Sequence, residues 1–225
     1  MKTPDMKIPD LRIPCEGLLF DNDGVLVDSD LGVDRAWSRW ARARGLSAEQ
    51  VTAMVHGRRS ADTVALLVAD PGERPAALAE IDRLEIEAAA TTTALPGALD
   101  LLTGLPDDIW AVVTSGVTAL ARARLAAAGL PLPPVLVTAD DVTDGKPAPD
   151  GYLAAAARLG VDPARTVVLE DAAAGAEAGK AAGAYVIGVG PRGLDTGAQV
   201  VVRDLRGLTW HDGVLDLGAA DLLRS

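Results

Sequence analysis

Apolar and polar positions along the chain follow two different rules. Short apolar runs occur at Gly17-Leu18-Leu19-Phe20, Ile109-Trp110-Ala111-Val112-Val113, 135–138, Thr166-Val167-Val168-Leu169 and 185–189. Runs of this length without alternation read as strands buried on both faces. Helical patterns at about 117–128, 150–159 and 172–182 separate the later ones. Gly129, Gly160 and Gly183 stand where helix C-terminal glycines belong. Gln199 to Val202 reads as a last edge strand. Between Leu31 and Thr92 the strand pattern stops. There Trp37, Trp40 and Ala41 fall at i, i+3, i+4 on one helix face. Ser47-Ala48-Glu49-Gln50 reads as a capping box, and Ser60 as the cap of a helix through Ala65-Leu66-Leu67-Val68. Leu78, Ile81 and Leu84 mark another helix starting near Pro75.

Strand–helix alternation interrupted by one helical block predicts an α/β protein. Its expected form is a Rossmann-like doubly wound parallel sheet with an inserted all-helical cap domain. The predicted boundaries are an extended tail at 1–14, a core at 15–29 and 96–225, and the helical insertion at 30–95. The crossings lie near Asp28–Leu31 and Thr91–Pro96. The tail carries a loose repeat, Pro4-Asp5, Pro9-Asp10 and Pro14.

A chain of 225 residues, 49% of them hydrophobic, has room for such a core and its insertion. Aromatics make up only 3%, so the core is aliphatic. The net charge of −11 argues against nucleic acid or anionic membrane as partner. The one cysteine, Cys15, excludes an intrachain disulfide and fits a cytoplasmic protein. No apolar run approaches the roughly 20 residues of a membrane span, and 1–14 lacks the apolar region of a signal peptide.

Candidate chemistry sits at the strand ends. Asp21-Asn22-Asp23-Gly24-Val25 follows the first run, so two carboxylates leave one strand end together. Asn22 is expected on the opposite face of the strand, and Gly24 lets the chain turn away. Two like charges this close call for a cation or a shared proton. Thr114-Ser115-Gly116 follows the second run, and Glu170-Asp171 ends a third. Lys146 lies in Gly145-Lys146-Pro147-Ala148-Pro149-Asp150. Four of the 21 basic residues are lysines, which sets this one apart from ordinary surface charge.

In this combination and order, the motifs resemble the phosphatase branch of the haloacid dehalogenase-like hydrolase superfamily, over roughly residues 14 to 190. Leu169-Glu170-Asp171-Ala172-Ala173-Ala174-Gly175, followed by Ala178 and Ala181-Ala182-Gly183, is similar to the family's fourth motif. The resemblance implies a Mg²⁺-dependent phosphatase acting on a small phosphorylated sugar or polyol. Asp21 would be the nucleophile that forms an aspartyl-phosphate, and Asp23 the general acid and base. Thr114, with the backbone N–H groups of Ser115 and Gly116, would hold phosphate oxygens. Lys146 would neutralise charge on Asp21 and the phosphoryl group. Asp21, the Asp23 carbonyl and Asp171 would hold the metal, with Glu170 a weaker ligand. In the helical block, Val55-His56-Gly57-Arg58-Arg59-Ser60-Ala61-Asp62-Thr63 resembles the cap segment of sugar- and polyol-phosphate phosphatases. It offers His56, Arg58 and Arg59 to substrate, or else forms a solvated loop. Trp37 and Trp40 read as helix-packing residues. The expected assembly is a monomer or weak homodimer.

Three rivals remain. A phosphomutase resembling β-phosphoglucomutase would carry a histidine in the stretch Asp30-Leu31-Gly32-Val33-Asp34, where there is none. A phosphonoacetaldehyde hydrolase would need a cap lysine, and no lysine lies between Lys7 and Lys146. A non-catalytic binding or regulatory protein would have no need to fill every motif position.

Overall fold

A computed structural model describes residues 11–224. The chain opens with strands β1 (Arg12–Pro14), β2 (Gly17–Phe20) and β3 (Val27–Asp28). Helices α1 (Asp30–Ala43), α2 (Ala48–Val55), α3 (Ser60–Leu67) and α4 (Arg74–Ala88) follow, and β4 (Thr93–Ala94) closes that stretch. Alternation resumes with α5 (Ala98–Thr103), β5 (Trp110–Val113), α6 (Thr118–Ala127), β6 (Val135–Val137) and α7 (Asp150–Leu159). It continues through β7 (Thr166–Glu170), α8 (Ala173–Ala181), β8 (Tyr185–Val189) and β9 (Val200–Val202). The last strands are β10 (Thr209–His211), β11 (Val214–Asp216) and β12 (Leu222–Arg224).

Seven strands form the main sheet in the order β12-β9-β8-β7-β2-β5-β6. Neighbours run parallel except β12, which is antiparallel to β9. Every residue of β2, β5 and β7 is buried, which is why these strands show no alternation in the sequence. Leu18, Phe20, Val112 and Leu169 face one layer with Leu101 and Leu102 of α5. Leu19, Ala111, Val113 and Val168 face the other with Tyr152 and Ala155 of α7 and Ala176 of α8. The period of two thus sorts one run of side chains onto two cores.

β9 is not the edge strand expected from Gln199–Val202, because β12 pairs along its outer side. A separate antiparallel sheet, β1-β11-β10, was also unforeseen. It takes up Arg12–Pro14, expected as tail, by pairing Ile13 with Leu215 and packing Leu11 and Ile13 on the first core. The Pro4-Asp5 and Pro9-Asp10 repeats lie outside the described residues.

The four helices between β3 and β4 bury their own cluster around Trp37, Trp40, Val51 and Ile81. Trp37 and Trp40 meet edge to face at 5.3 Å, and the Trp40 indole N–H donates to Ala77 O at 2.8 Å. Ser47 caps α2 by accepting from Gln50 N at 3.3 Å. Ser60 does not cap α3. It is the first helical residue, and its hydroxyl donates to Glu85 Oε2 at 2.8 Å. The two chain crossings lie side by side, with Val27 opposite Ala94 and Asp28 opposite Thr93.

Candidate active site

The sheet order places the carboxyl ends of β7, β2 and β5 next to one another. Asp171 follows β7, Asp21 follows β2 and Thr114 follows β5, so three distant segments meet at one sheet edge. Lys146 arrives from the loop before α7. Its Nζ lies 2.6 Å from Asp21 Oδ1, 2.6 Å from Glu170 Oε1 and 3.2 Å from Val113 O. All three charged side chains are buried. Burial works against the Lys146 ammonium, but the Asp21 and Glu170 carboxylates outweigh it and hold its pKa well above the usual range. Asp21 is pushed up by burial and by Glu170, Asp171 and Asp23, with Lys146 opposing. Asp171 is raised to about 7, by burial first and by Glu170 second, against the pull of Arg192.

Two glycines make this packing possible. A Cβ at Gly175 would lie 1.6 Å from Glu170 Oε1, and one at Gly24 would lie 2.0 Å from Asp171 Oδ2. Gly24 also has φ of +83°, where side chains are strained. Glu170 is tied by protein donors: Lys146, the Tyr152 hydroxyl at 3.0 Å, and Ala172 N at 3.0 Å on its other oxygen. That makes it the buried counter-charge of Lys146.

Asp23 points beside Asp21 and stays partly open. Its Oδ1 accepts from Ser29 Oγ at 2.6 Å and lies 3.0 Å from Arg124 Nη1. Asn22 is fully buried. It does not turn wholly away from the site as expected, since its Nδ2 donates to Asp23 Oδ2 at 3.3 Å. Arg124 of α6 continues to Glu85 of α4, Nη2 to Oε1 at 3.2 Å, and Glu85 to Ser60. A buried chain of polar groups therefore runs from Asp23 into the helical block.

Thr114 Oγ1 accepts from Gly116 N at 3.1 Å. The Gly116 amide expected to face an anion is thus used locally, and α6 starts only at Thr118. Ser115 Oγ donates to Gly57 O at 3.2 Å, joining this loop to the helical block. His56 and Arg58 line the same cavity as Asp21, Asp23 and Thr114. His56 stands 3.7 Å from Asp30 and 3.8 Å from Asp34. Arg59 is turned elsewhere. It binds both oxygens of Asp62 and donates to Thr143 O at 2.8 Å, against Gly145. It fastens the helical block to the Lys146 loop instead of facing the cavity. Trp37, expected purely as packing, also reaches the cavity wall.

Sequence reasoning missed Glu85, Arg124 and Arg192. Arg192 lies 2.8 Å from Asp171 Oδ2 and 3.0 Å from Asp30 Oδ2. For two of them a signal existed. Glu85 follows Ile81 by four on the buried stripe of α4, and Arg124 follows Leu120 by four on that of α6. A charge on a buried stripe needs a partner.

Asp21, Glu170 and Asp171 each offer an oxygen within 4.8 Å of the others. Counting Asp23 and the acids Glu85 and Asp30 that share its neighbouring arginines, six carboxylates here meet three basic side chains, Lys146, Arg124 and Arg192, and the donors are all hard oxygens. That charge excess and donor set fit a divalent cation of the Mg²⁺ or Ca²⁺ kind. No helix among the described residues is long and apolar enough to cross a membrane.

A parallel sheet with paired aspartates, Thr, Lys and a second acidic pair at adjacent strand ends defines a recognisable class of hydrolase. The family description of haloacid dehalogenase-like hydrolases matches residues 15–183, and the chain belongs to this family. It is 51% identical to hexitol phosphatase A of Escherichia coli over 183 residues, 78% of this chain and 83% of that protein. It is 34% identical to glycerol-1-phosphate phosphohydrolase 2 of Saccharomyces cerevisiae over 194 residues, 80% and 76% of the two chains. Its fold matches the crystal structure of β-phosphoglucomutase from Clostridium difficile with a TM-score of 0.74 at 23% identity, over 85% and 92% of the chains.

Proposed function

We propose that the protein is a Mg²⁺-dependent phosphatase of small phosphorylated sugars or polyols. The observation that carries this reading is that Asp21, Asp23 and Thr114 line one cavity with Lys146 bonded to Asp21, in a chain 51% identical over 183 residues to a hexitol phosphatase. A carboxylate oxygen of Asp21 attacks phosphorus, and the bond to the leaving oxygen breaks. Asp23 delivers its proton to that oxygen, so an alcohol departs. Asp23 then takes a proton from water as the water attacks the aspartyl-phosphate. The bond to Asp21 breaks and inorganic phosphate leaves. Thr114 and Lys146 orient the phosphoryl oxygens and oppose their charge. The bound cation would be held by Asp21, Asp171 and the Asp23 carbonyl. It would neutralise phosphate charge during the transfer.

The helices between β3 and β4 act as the cap over this site. Their cavity wall combines apolar Val33, Trp37 and Val55 with polar groups, as a sugar or polyol requires. The working form is a cytoplasmic monomer or weak homodimer.

The test is release of inorganic phosphate from a panel of sugar and polyol phosphates, with and without chelator. Calorimetric titration of Mg²⁺ into the substrate-free protein should give binding that Asp171→Ala weakens. Full turnover in excess chelator would sink the metal assignment. Conversion of the substrate to an isomeric phosphate, without free phosphate, would assign the chain to the mutases.

A further inference from the structure

The Ser60–Glu85–Arg124 chain has no place in the steps above, although it ends on Asp23. Glu85 and Arg124 are each buried to about 95%, yet both reach the substrate cavity with Ser60. Burying an acid at a site that exists to take phosphate esters is costly, and a neutral side chain would pack there at less expense.

We infer that Glu85, with Arg124, reads the leaving group of the substrate: it selects neutral, hydroxyl-rich alcohols and rejects leaving groups that carry a carboxylate or a second phosphate. The inference rests on the phosphatase reading and deepens it. Position supports it first. Asp23 faces the leaving oxygen, and Arg124 bridges Asp23 to Glu85, so the pair meets the part of the substrate just beyond that oxygen.

Bonding capacity supports it second. Each Glu85 oxygen has one protein donor, Arg124 Nη2 on Oε1 and Ser60 Oγ on Oε2. An ionised carboxylate has about four acceptor sites, and a guanidinium has five N–H donors. Free acceptors on Glu85 and free donors on Arg124 therefore lie side by side. A hydroxyl group, which donates and accepts at once, satisfies both. A carboxylate has no proton for Glu85 and is repelled by it.

Charge supports it third. Arg124 is already shared between Asp23 and Glu85, and Arg192 between Asp171 and Asp30. Both guanidiniums are thus already shared between acids, which leaves Arg58 as the cavity-lining arginine without an ion pair among the described residues. Trp37 and Val55 supply the apolar wall along which the carbon chain would lie.

The experiment compares kcat/KM on a hexitol 6-phosphate, on the sugar-acid 6-phosphate of equal carbon number, and on an aryl phosphate. The wild-type protein should favour the neutral hexitol ester by about a hundredfold or more. Glu85→Gln keeps the size and removes the charge. It should lower hexitol ester turnover about ten- to hundredfold, raise the acid-to-neutral ratio at least about tenfold, and cost the aryl phosphate less than the hexitol ester. Equal losses on all three substrates would make Glu85 a structural support and overturn the inference. So would an unchanged acid-to-neutral ratio, or a wild-type enzyme indifferent to the acid group; that last measurement stands even if Glu85→Gln fails to fold. A wild-type protein that cleaves the aryl phosphate but no neutral sugar or polyol ester would instead overturn the substrate reading itself.

Discussion

The two walls of the candidate active site are built in opposite ways. The floor comes from strand ends, where Asp21, Thr114 and Asp171 each follow directly on a buried strand. Backbone pairing between β7, β2 and β5 fixes their separation before any side chain contributes. The roof comes from helices and the turn between two of them, where Glu85, Ser60 and the loop residue Arg58 are placed by side-chain packing and by a few polar contacts across the gap. A floor set by the sheet suits chemistry, which tolerates little displacement. A roof set by packing can change its lining without disturbing the reacting groups. On the proposed reading, specificity is free to vary on one wall while the reaction stays constant on the other.

The largest effect expected is at the proposed nucleophile. Asp21→Asn should reduce phosphate release to background while circular dichroism remains that of the wild type. Near-normal turnover would mean the floor does not perform the covalent step. Asp23→Asn should lower turnover of alkyl phosphates about 10²- to 10⁴-fold. Aryl phosphates, whose leaving group departs without a proton, should lose much less. Equal losses on both would remove Asp23 from the role of acid.

Stability sharpens the same contrast. Lys146→Met strands Asp21 and Glu170 as buried, unpaired acids and should cost about 3–5 kcal/mol in denaturant unfolding. Arg83→Ala breaks a helical-block pair with Glu87 that is open to water. It should cost no more than about 1 kcal/mol. Similar values for the two would mean that the floor is no more tightly built than the roof.

A comparably small effect lies between the walls. Asp82 of α4 is half-buried, and its pKa is raised to about 6 by burial, by Glu85 and by Asp140 of the core. An acid raised on folding is least costly when protonated in both states. Stability should therefore fall as pH climbs from about 4 to about 6 and stay lower above that. Asp82→Asn should raise Tm at pH 8 by about 2–4 °C, roughly 1 kcal/mol once partial exposure is allowed for. At pH 4 it should change Tm little. An equal gain at both pH values would remove charge as the cause.

The same division decided what the sequence revealed. Asp21, Thr114 and Asp171 were legible because each ends an unbroken apolar run, and a parallel sheet exposes its strand ends on one side. Lys146 was legible by its rarity and its Gly-Pro setting. Glu85 was harder to read: its place four after Ile81 marks a charge on a buried stripe, but its partner Arg124 lies 39 residues away and nothing local names it. Arg58 and Arg59 are adjacent and chemically alike, yet one lines the cavity and the other clasps Asp62 and Thr143. Both follow the Gly57 turn, and Arg59, extended (φ −71°, ψ 141°) as the residue that leads into α3, is the one that meets Asp62. β1 and β12 were missed because both are short and pair with segments distant in sequence or at the chain's end.

The paired crossing of β3 and β4 has a consequence for modularity. The helical insertion leaves and rejoins the sheet at Val27–Asp28 and Thr93–Ala94, residues that are direct partners. Closing a loop already held shut at its base costs little that depends on its length. A block of different size or helix count, spliced between Asp28 and Thr93, would meet the same two anchor points, and the catalytic floor would keep its strand order. The junction is a socket: a different insert would change what covers the candidate site and leave the strand ends beneath it in place.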